Sequence, residues 1–417
     1  MSNAAPSGNA VSSATVCIVG SNGVRLWGID GAERLTRQLR SAGITDVVRE
    51  GDSPRTVASS VLLLRSDYLF EDRTLGDLLR EPGVALTATA STASPRVVAA
   101  HVPTRDLAAA RAVIEGGADA ATLPGVVTHS PEDLSTAFVR KLHKAAPPVV
   151  LPTRPDRAAA LERHLFDGSY KGVTDLVTKW VWPRPARAVV GVCARHGIPP
   201  NAVTSVSFLL VVSATILFAL GWFGTGLVLA WIMTFLDTVD GKLARVTVTS
   251  TPFGHYFDHT IDSVHPPIWY IAWALGVTGV SGILSVVPFL LAIVAFYIGG
   301  RFIESFFKHA VGGGSLFAWR PFDSYFRLVM ARRNPNLILL TGFYLAGLPA
   351  AGLVAVTVWT VLSTVILTVR LLQGMRAKAR SESLRPWIEE LGNEADVVPP
   401  WARPFVADLA AVRHLVQ

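Results

Sequence analysis

Four aspartates in a strongly apolar part of the chain have the residue type and the spacing to do chemistry. Asp237 and Asp240 are three residues apart and Asp258 and Asp262 are four apart, so each pair is expected on one face of a helix. A carboxylate at membrane depth costs roughly 2.5–3.5 kcal/mol, so such a cluster needs cations as partners. Because oxygen-only ligands favour Mg²⁺ or Mn²⁺ over zinc, the spacing predicts a divalent-cation site that takes a phosphate-bearing substrate.

Small residues accompany both aspartate pairs. Gly241 and Ala244 lie on the helical stripe of Asp237, and Gly254 lies one turn before Asp258, which leaves room for a ligand. The whole pattern, Asp-x2-Asp-Gly-x2-Ala-Arg-x8-Gly-x3-Asp-x3-Asp, resembles the signature of the CDP-alcohol phosphotransferases. Its fixed positions are filled without a departure by Asp237, Asp240, Gly241, Ala244, Arg245, Gly254, Asp258 and Asp262. The alternative is a set of helix-end acids paired with Lys242 and Arg245, which would have no reason to keep this register.

The resemblance implies a transferase of phospholipid biosynthesis. Such an enzyme moves a substituted phosphate from a CDP-alcohol donor to an acceptor hydroxyl and releases CMP, with two Mg²⁺ or Mn²⁺ ions. By resemblance the ions are held by Asp237, Asp240, Asp258 and Asp262, and Asp262 is also the catalytic general base. The residues expected to bind CDP are Asp237, Gly241, Ala244, Arg245 and Gly254. The family also implies a homodimer among membrane lipids, and no motif supports a nucleic-acid partner.

Three histidines near the aspartates raise the possibility of zinc. His255 and His259 share a helical face with Asp262, and His265 follows nearby. No cysteine or further histidine completes a tetrahedral ligand spacing. These histidines are therefore expected to support or flank the site and not to bind zinc.

The stretch from Arg301 to Arg333 is long, broken by glycines, and rich in arginine and aromatic residues. One interpretation is an anion-binding segment for the acceptor, with Arg301, Arg332 and Arg333 as its candidate contacts. The other interpretation is a topology signal that also contacts lipid headgroups. The sequence leaves both open.

The composition predicts a membrane protein with a separate front half. Half of the 417 residues are hydrophobic and 17% are charged, and the long apolar runs follow Thr204. Cys17 and Cys193 are too few for a disulfide framework and fit a reducing compartment. The first fourteen residues show no secretory signal. The net charge of +7 fits an anionic membrane surface.

The apolar half is predicted to cross the membrane six times. The expected spans are 204–223, 226–246, 254–279, 283–308, 336–348 and 350–372. One side of these spans has connections without a basic residue. The other side carries Lys242, Arg245, Arg301, Lys308, Arg320, Arg327, Arg332, Arg333, Arg370, Arg376 and Lys378. The positive-inside rule therefore predicts an inner-membrane protein whose active site and both termini are cytoplasmic.

The front half alternates short β-like and helical runs, which predicts a parallel α/β domain. The turn from Gly20 to Leu26 resembles the opening loop of sugar-phosphate nucleotidyltransferases, and Asp67 stands near the position of that family's metal-binding aspartate. The family's Pro-Lys pair after the loop is missing, so a degenerate domain is expected. Asp30, Asp67 and Asp72 are expected to be solvated surface acids.

The expected fold is an α/β nucleotidyltransferase-like domain followed by an all-α domain of six transmembrane helices. The predicted divisions are the α/β domain (1–150), a linker with a basic juxtamembrane helix (151–200), the membrane domain (201–380) and a cytoplasmic tail (381–417). Within the second division, Trp180 and Trp182 suit the headgroup region.

Three other functions remain to be compared with the transferase. One is a bifunctional enzyme that makes and then uses a CDP-polyol such as CDP-inositol. The others are a divalent-cation transporter and an inactive membrane anchor for the front domain. The sequence names neither the alcohol of the donor nor the acceptor.

Overall fold

The computed structural model describes residues 14–49, 58–88, 95–116, 120–312, 314–393 and 398–406. These residues form two compact units. The first contains the described residues up to Val139 together with Ala145–Gly168, and the second contains Arg140–Lys144 and Ser169–Val406.

The first unit is built on a six-stranded sheet with the order β4-β1-β5-β8-β7-β9. The strands are β1 Thr15–Val19, β2 Arg25–Leu26, β3 Ile29–Asp30, β4 Val47–Arg49, β5 Ser60–Arg65, β6 Tyr68–Phe70, β7 Val84–Ala88, β8 Arg96–Pro103, β9 Val127–His129, β10 Phe138–Val139, β11 Lys144–Ala145 and β12 Val150–Pro152. The helices in this part of the chain are α1 Gly31–Ser41, α2 Asp72–Arg80, α3 Leu107–Glu115, α4 Pro131–Leu134 and α5 Ala158–Gly168.

The sheet is mixed, so the expectation of a parallel sheet is wrong. β1 pairs in parallel with β4 and β5, whereas β8 pairs antiparallel with both β5 and β7. The short connection at 89–95 accounts for the antiparallel pair of β7 and β8, because a parallel crossover needs about a dozen residues or more. The α/β class of the front half is confirmed.

The core of this unit lies on both faces of the sheet. Leu62 and Leu64 of β5 pack with α1 and α2, whereas Val61 and Leu63 pack with α3. This is the alternation expected for a strand that is covered on both sides.

Each acid that the sequence marked in this unit has a structural partner. The carboxylate of Asp30 accepts from the Glu33 amide at 2.8 Å and caps α1. Arg65 donates to both oxygens of Asp67, at 2.8 and 2.5 Å. Asp72 accepts from Gln38 at 2.7 Å.

In the loop after β1, Gly20 and Gly23 have φ of 73° and 67°, a conformation that glycine adopts without strain.

The second unit is helical and its helices are mostly apolar. Its elements are α6 Pro183–Arg195, α7 Pro200–Ala219, α8 Phe223–Val246, α9 Pro252–Gly282, α10 Val287–Phe306, α11 Leu316–Trp319, α12 Pro321–Val329, α13 Arg333–Leu345, α14 Pro349–Ala379 and α15 Trp387–Asn393. An aromatic core of Phe218, Phe223, Trp269 and Trp273 ties α7, α8 and α9 together.

The predicted count of six membrane spans is not confirmed. Within the described residues, four stretches are long and apolar enough to cross a membrane: Pro200–Ala219, Phe223–Val246, Thr260–Val311 and Pro349–Ala379. The third stretch has 52 residues and joins two predicted spans, although Gly279 interrupts the helix with φ 65° and ψ 174°. α13 has 13 residues, which corresponds to about 20 Å of helix against a hydrocarbon core of about 30 Å.

The basic segment before the first span forms α6, which has two different faces. Ala186, Val190 and Cys193 are buried, whereas Arg184 and Arg195 are exposed. This amphipathic arrangement agrees with the juxtamembrane helix expected from the sequence, whose position at a membrane surface stays a prediction.

Candidate active site

The two halves of the aspartate signature lie on consecutive helices and are joined by a short turn. Asp237 and Asp240 are in the second half of α8, and Asp262 is in the first half of α9. Between them Val248 has φ 52°, an unusual value for a β-branched residue, and its amide donates to the Arg245 carbonyl at 3.3 Å. Thr251 then caps α9 by accepting from the Gly254 amide at 3.0 Å. The turn therefore places both halves at the same end of the bundle.

Arg333 brings one aspartate of each half onto a single guanidinium. Its Nη2 donates to Asp237 and its Nη1 donates to Asp262, which are 96 and 71 residues away in the chain. The side chain of Arg333 is 15% exposed, against 18% for Asp237 and 33% for Asp262. Asp262 is therefore the more accessible carboxylate of this pair.

Asp240 is the most deeply buried of the described aspartates of the signature. The residue is 4% exposed, and its Oδ2 accepts from the hydroxyl of Thr204 on α7 at 2.6 Å. Its Oδ1 is buried and has no hydrogen-bond partner among the described residues. An unpaired buried carboxylate oxygen is costly unless something else binds it, which fits a metal ligand.

The two glycines of the signature have different surroundings. A Cβ added to Gly254 would lie 3.0 Å from Asn201 Oδ1 and 3.1 Å from Thr251 Oγ1. A Cβ added to Gly241 would meet only the guanidinium of Arg245, at 3.7 and 3.9 Å. Gly254 is therefore needed for close packing, whereas Gly241 leaves open space of the kind expected beside a bound ligand. Arg245 is exposed and donates to the Ser169 carbonyl at 3.4 Å.

The three arginines predicted to bind the acceptor lie close to the aspartates. Arg301 donates to Ser263, the residue after Asp262, at 3.3 Å. Glu304 pairs with Arg332 and lies 3.7 Å from Arg301. Arg333 itself contacts two of the aspartates, Asp237 and Asp262. Acceptor binding by these arginines stays a prediction.

Several residues of this site were not identified from the sequence. Glu304 could have been identified from the sequence, because an acid inside an apolar helix is costly and needs a partner. Asn201 and Thr204 belong to a Pro-Asn-x-x-Thr run that introduces the first predicted span and resembles what precedes that span in the family, but the sequence assigned neither of them a place beside Gly254 or Asp240. Asp175 and Asn334 form a buried hydrogen bond of 2.9 Å beside Arg333, and no local pattern links these two residues.

Part of the predicted site lies outside the described side chains. The structure gives the helical backbone at Asp258, His255 and His259 but not the placement of their side chains. His265 is buried, with its Nδ1 2.7 Å from the Ile261 carbonyl and its ring 4.7 Å from that of Trp269. It therefore packs into the helical core.

The donor set suits hard divalent cations. The carboxylates of Asp237 and Asp262 come from two helices and converge on one positive group, and Asp240 has an unsatisfied oxygen nearby in the chain. All of these donors are carboxylate oxygens, which Mg²⁺ and Mn²⁺ prefer. Among the side chains that the structure describes, no group of three or more His, Cys, Asp or Glu is placed to hold a metal ion. The carboxylate of Asp258, the fourth predicted ligand, is not in that set.

Comparison with known proteins finds a family match within the helical half. Residues 198–369 match the family model of the CDP-alcohol phosphatidyltransferases, and this range contains every position of the signature. This region is therefore similar to the CDP-alcohol phosphatidyltransferase family. The predicted resemblance to this family is confirmed, and so is the helical class of the second half, without the count of six spans. The nucleotidyltransferase resemblance of the front half stays a prediction.

Two curated relatives are similar to part of the chain. Choline/ethanolaminephosphotransferase 1 from Arabidopsis thaliana is 31% identical over 31% of this chain and 37% of its own length. Archaetidylinositol phosphate synthase from Pyrococcus horikoshii is 35% identical over 22% of this chain and 50% of its own length. The chain therefore spans half or less of the length of these curated relatives.

A solved structure is also similar. It is phosphatidylinositol phosphate synthase from Mycobacterium tuberculosis with CDP-DAG bound, at 19% identity and a TM-score of 0.35, covering 47% of this chain and 94% of that one. A TM-score this low carries no argument about the present site.

Proposed function

We propose that the protein is an integral membrane transferase that moves a substituted phosphate from a CDP-alcohol to an acceptor hydroxyl and releases CMP. The observation that carries the proposal is the convergence of Asp237 and Asp262, from the two halves of the family signature, on Arg333. Cation transport is less well supported, because the matched relatives are named as phosphotransferases and synthases.

The aspartates have different tasks in this proposal. Asp237, Asp240 and Asp258 are the principal ligands of two divalent cations, and Asp262 binds a cation as well. When bound, these cations neutralise the diphosphate and the leaving CMP. Asp262 takes the proton of the acceptor hydroxyl. Its greater exposure supports that role, because a general base must reach the incoming group.

The small residues and Arg245 receive the donor. The open space at Gly241 suits the cytidine phosphate, with Ala244 beside it on the same helical stripe. Arg245 is exposed at the end of α8 and offers its guanidinium to a phosphate oxygen. Gly254 contributes by allowing α7 and α9 to approach each other.

The arginines beside Asp262 favour an acceptor with a negative charge. Arg301 and Arg332 share one acid, Glu304, so the three side chains together carry one excess positive charge. That excess lies next to Ser263, on the turn of α9 that holds the proposed base. A polyol phosphate therefore suits the site better than a neutral polyol.

The proposed topology has six crossings with both termini in the cytoplasm, in the inner membrane. The break at Gly279 supports two crossings within Thr260–Val311, and the turn at Gly347, with φ 76°, separates α13 from α14. The homodimer expected from the family stays part of the proposal. In the front half we expect no nucleotidyl transfer. The chain lacks the lysine that would hold the transferred phosphate in the nucleotidyltransferases it resembles.

Purified protein assayed against a panel of CDP-alcohols and acceptors tests the proposal. Mass spectrometry should detect a phosphodiester product and an equal amount of CMP, with polyol phosphates preferred over the matching polyols. If no CDP-alcohol releases CMP with any acceptor in the presence of Mg²⁺ or Mn²⁺, the proposal is refuted. Formation of a CDP-alcohol from CTP and a polyol phosphate would instead overturn the expectation for the front half.

A further inference from the structure

Asp175 is a buried acid that lies before the matched family range and contacts the segment that carries Arg333. It belongs to the stretch between α5 and α6, outside residues 198–369. The residue is 7% exposed. Its Oδ1 accepts from the side-chain amide of Asn334 at 2.9 Å, and Asn334, which is also buried, directly follows Arg333 in the chain. The proposed function gives a task to neither residue of this pair.

Asp175 also stabilises the turn in which it lies. Its Oδ1 accepts from the backbone amides of Val177 and Thr178 at 3.1 and 3.0 Å, and its Oδ2 accepts from the Thr178 hydroxyl at 2.8 Å. These contacts fix the carboxylate at the start of the short helical turn Val177–Val181. The contact with Asn334 joins positions 159 residues apart. It therefore ties this turn to the start of α13, which a capping residue alone would not do.

The amide of Asn334 has one orientation in this contact. Its Nδ2 donates both to Asp175 and to the Thr178 hydroxyl, at 2.9 and 3.2 Å. Rotating the amide by half a turn would place its oxygen against the carboxylate, where two acceptors repel each other. The contact therefore fixes the side chain of Asn334 and the first turn of α13. Arg333 reaches Asp237 and Asp262 from that same turn.

The charge of Asp175 acts on two arginines. Arg327 is the cation with the largest effect on the carboxylate. Asp175 is also among the acids whose charge acts on Arg333. Burial raises the pKa of Asp175, but Arg327 and the hydrogen bonds from Asn334 and Thr178 outweigh it, so the pKa lies below its ordinary value. The carboxylate is therefore negative at neutral pH.

This negative charge gains importance when the aspartate site binds cations. Arg333 and a cation need the same oxygens, because the guanidinium lies against Asp237 and Asp262. Once those carboxylates bind a cation, they attract Arg333 much less. Arginine stays protonated, and a buried positive charge without an acid is costly. Asp175, whose charge already acts on Arg333, supplies that acid.

We propose that Asp175 is a positioning residue of the transferase and acts through Arg333. Its contact with Asn334 holds the turn that carries Arg333. Its charge compensates Arg333 when Asp237 and Asp262 bind cations. The inference rests on the proposed function, and it gives a residue outside the matched range a task at the aspartate site.

Binding of Mn²⁺ to the full-length protein in nanodiscs, followed by electron paramagnetic resonance without substrate, tests the proposal. Asp175→Asn is the decisive variant. Asparagine caps a turn as well as aspartate does, its Oδ1 can accept the same three N–H groups, and the Thr178 hydroxyl can accept instead of donate. The variant therefore loses the charge and keeps the contacts. We expect its apparent Mn²⁺ affinity to be weaker by about tenfold.

Glu382→Gln is the matched control, because it also replaces one carboxylate by an amide. Glu382 is exposed in the same helical unit and lies 3.9 Å from Arg380. Its variant should bind Mn²⁺ with the affinity of the wild type. Thermal unfolding without Mn²⁺ measures the structural role separately, and Asp175→Asn should unfold near the Tm of the wild type. A residue that only caps the turn would leave the Mn²⁺ affinity of Asp175→Asn unchanged.

Asn334→Ala tests the connection between Asp175 and Arg333. It should also weaken Mn²⁺ binding, because the first turn of α13 loses its contact with the carboxylate. The double variant Asp175→Asn/Asn334→Ala should lose less than the product of the two single losses, since both changes act on Arg333. In CMP release, Asp175→Asn should raise the Mn²⁺ concentration for half-maximal rate more than it lowers the rate at saturating Mn²⁺.

The possible failures are distinguishable. Wild-type Mn²⁺ affinity in Asp175→Asn would overturn the inference and leave the proposed function standing. An equal loss in Glu382→Gln or independent losses in the double variant would also overturn it. The same holds if Asp175→Asn fails to fold, because the acid would then serve the fold and not the site. Absence of Mn²⁺ binding in the wild type would refute the proposed cation site and the inference with it.

Discussion

Gly241→Ala is expected to raise the thermal stability of the protein and at the same time to lower its transferase activity. Gly241 is inside α8, where alanine is favoured over glycine by roughly 0.5–1 kcal/mol. The added Cβ meets only Arg245, at 3.7 and 3.9 Å, so no clash offsets this gain. For a unit of this size the gain corresponds to a Tm rise of about 1–4 °C.

The same methyl group occupies the space proposed for the cytidine phosphate. Overpacking at a well-fitted contact costs roughly 1–3 kcal/mol, which corresponds to a loss of about 5- to 160-fold in kcat/KM for the CDP-alcohol. The measurement is steady-state CMP release together with thermal unfolding of the same preparation. A stabilised variant with unchanged kcat/KM would refute the placement of the donor beside Gly241.

Two other glycines serve as matched comparisons. Gly342 is inside α13, and an added Cβ there meets nothing within 4 Å, so Gly342→Ala should give a similar Tm rise with unchanged activity. Gly254→Ala places its Cβ 3.0 and 3.1 Å from Asn201 and Thr251. It should lower the Tm, because the side chains of Asn201 and Thr251 must shift by a few tenths of an ångström and Thr251 also caps α9. The three variants separate helix propensity, ligand space and close packing.

Two further results are expected. Thr204→Val removes the 2.6 Å hydrogen bond to Asp240 and should lower transferase activity about 10- to 100-fold and weaken the apparent affinity for Mg²⁺. The measurement is CMP release as a function of Mg²⁺ concentration, and an unchanged Mg²⁺ titration would contradict a role for Thr204 in positioning Asp240. In a protein without its native cysteines, single cysteines at 224 and 280 should react with an impermeant maleimide from outside the cell and one at 320 only after permeabilisation, and the reverse pattern would refute the proposed orientation.

The positions of the signature helices could be predicted because helical spacing is local. Aspartates three and four residues apart in an apolar context fix the face of a helix, and the structure has helices at both pairs. The contact of Arg333 with Asp237 and Asp262 joins residues 96 and 71 positions apart. Spacing carries no information about such a contact, so Arg333 was predicted only as one of three possible acceptor contacts.

The errors in the fold arise from the same limitation. Alternating strands and helices identified the α/β class, but the antiparallel β8 depends on how a short connection folds, which periodicity does not encode. Hydropathy located the apolar stretches but not their ends. Gly279 interrupts the stretch of 52 residues where the third predicted span ends, but α13 has only 13 residues.

Mg²⁺-dependent CMP release by aspartate variants tests the central claim most directly. Asp237→Asn, Asp240→Asn and Asp258→Asn each keep the shape of the side chain and remove one charge from the proposed cation site, with Gly342→Ala as the control. We expect each aspartate variant to lose transfer by about a thousandfold or more while it stays folded, because the cations stabilise most of the developing charge. Retained activity with a normal Mg²⁺ dependence in all three variants would contradict a transferase that works through cations held by these aspartates.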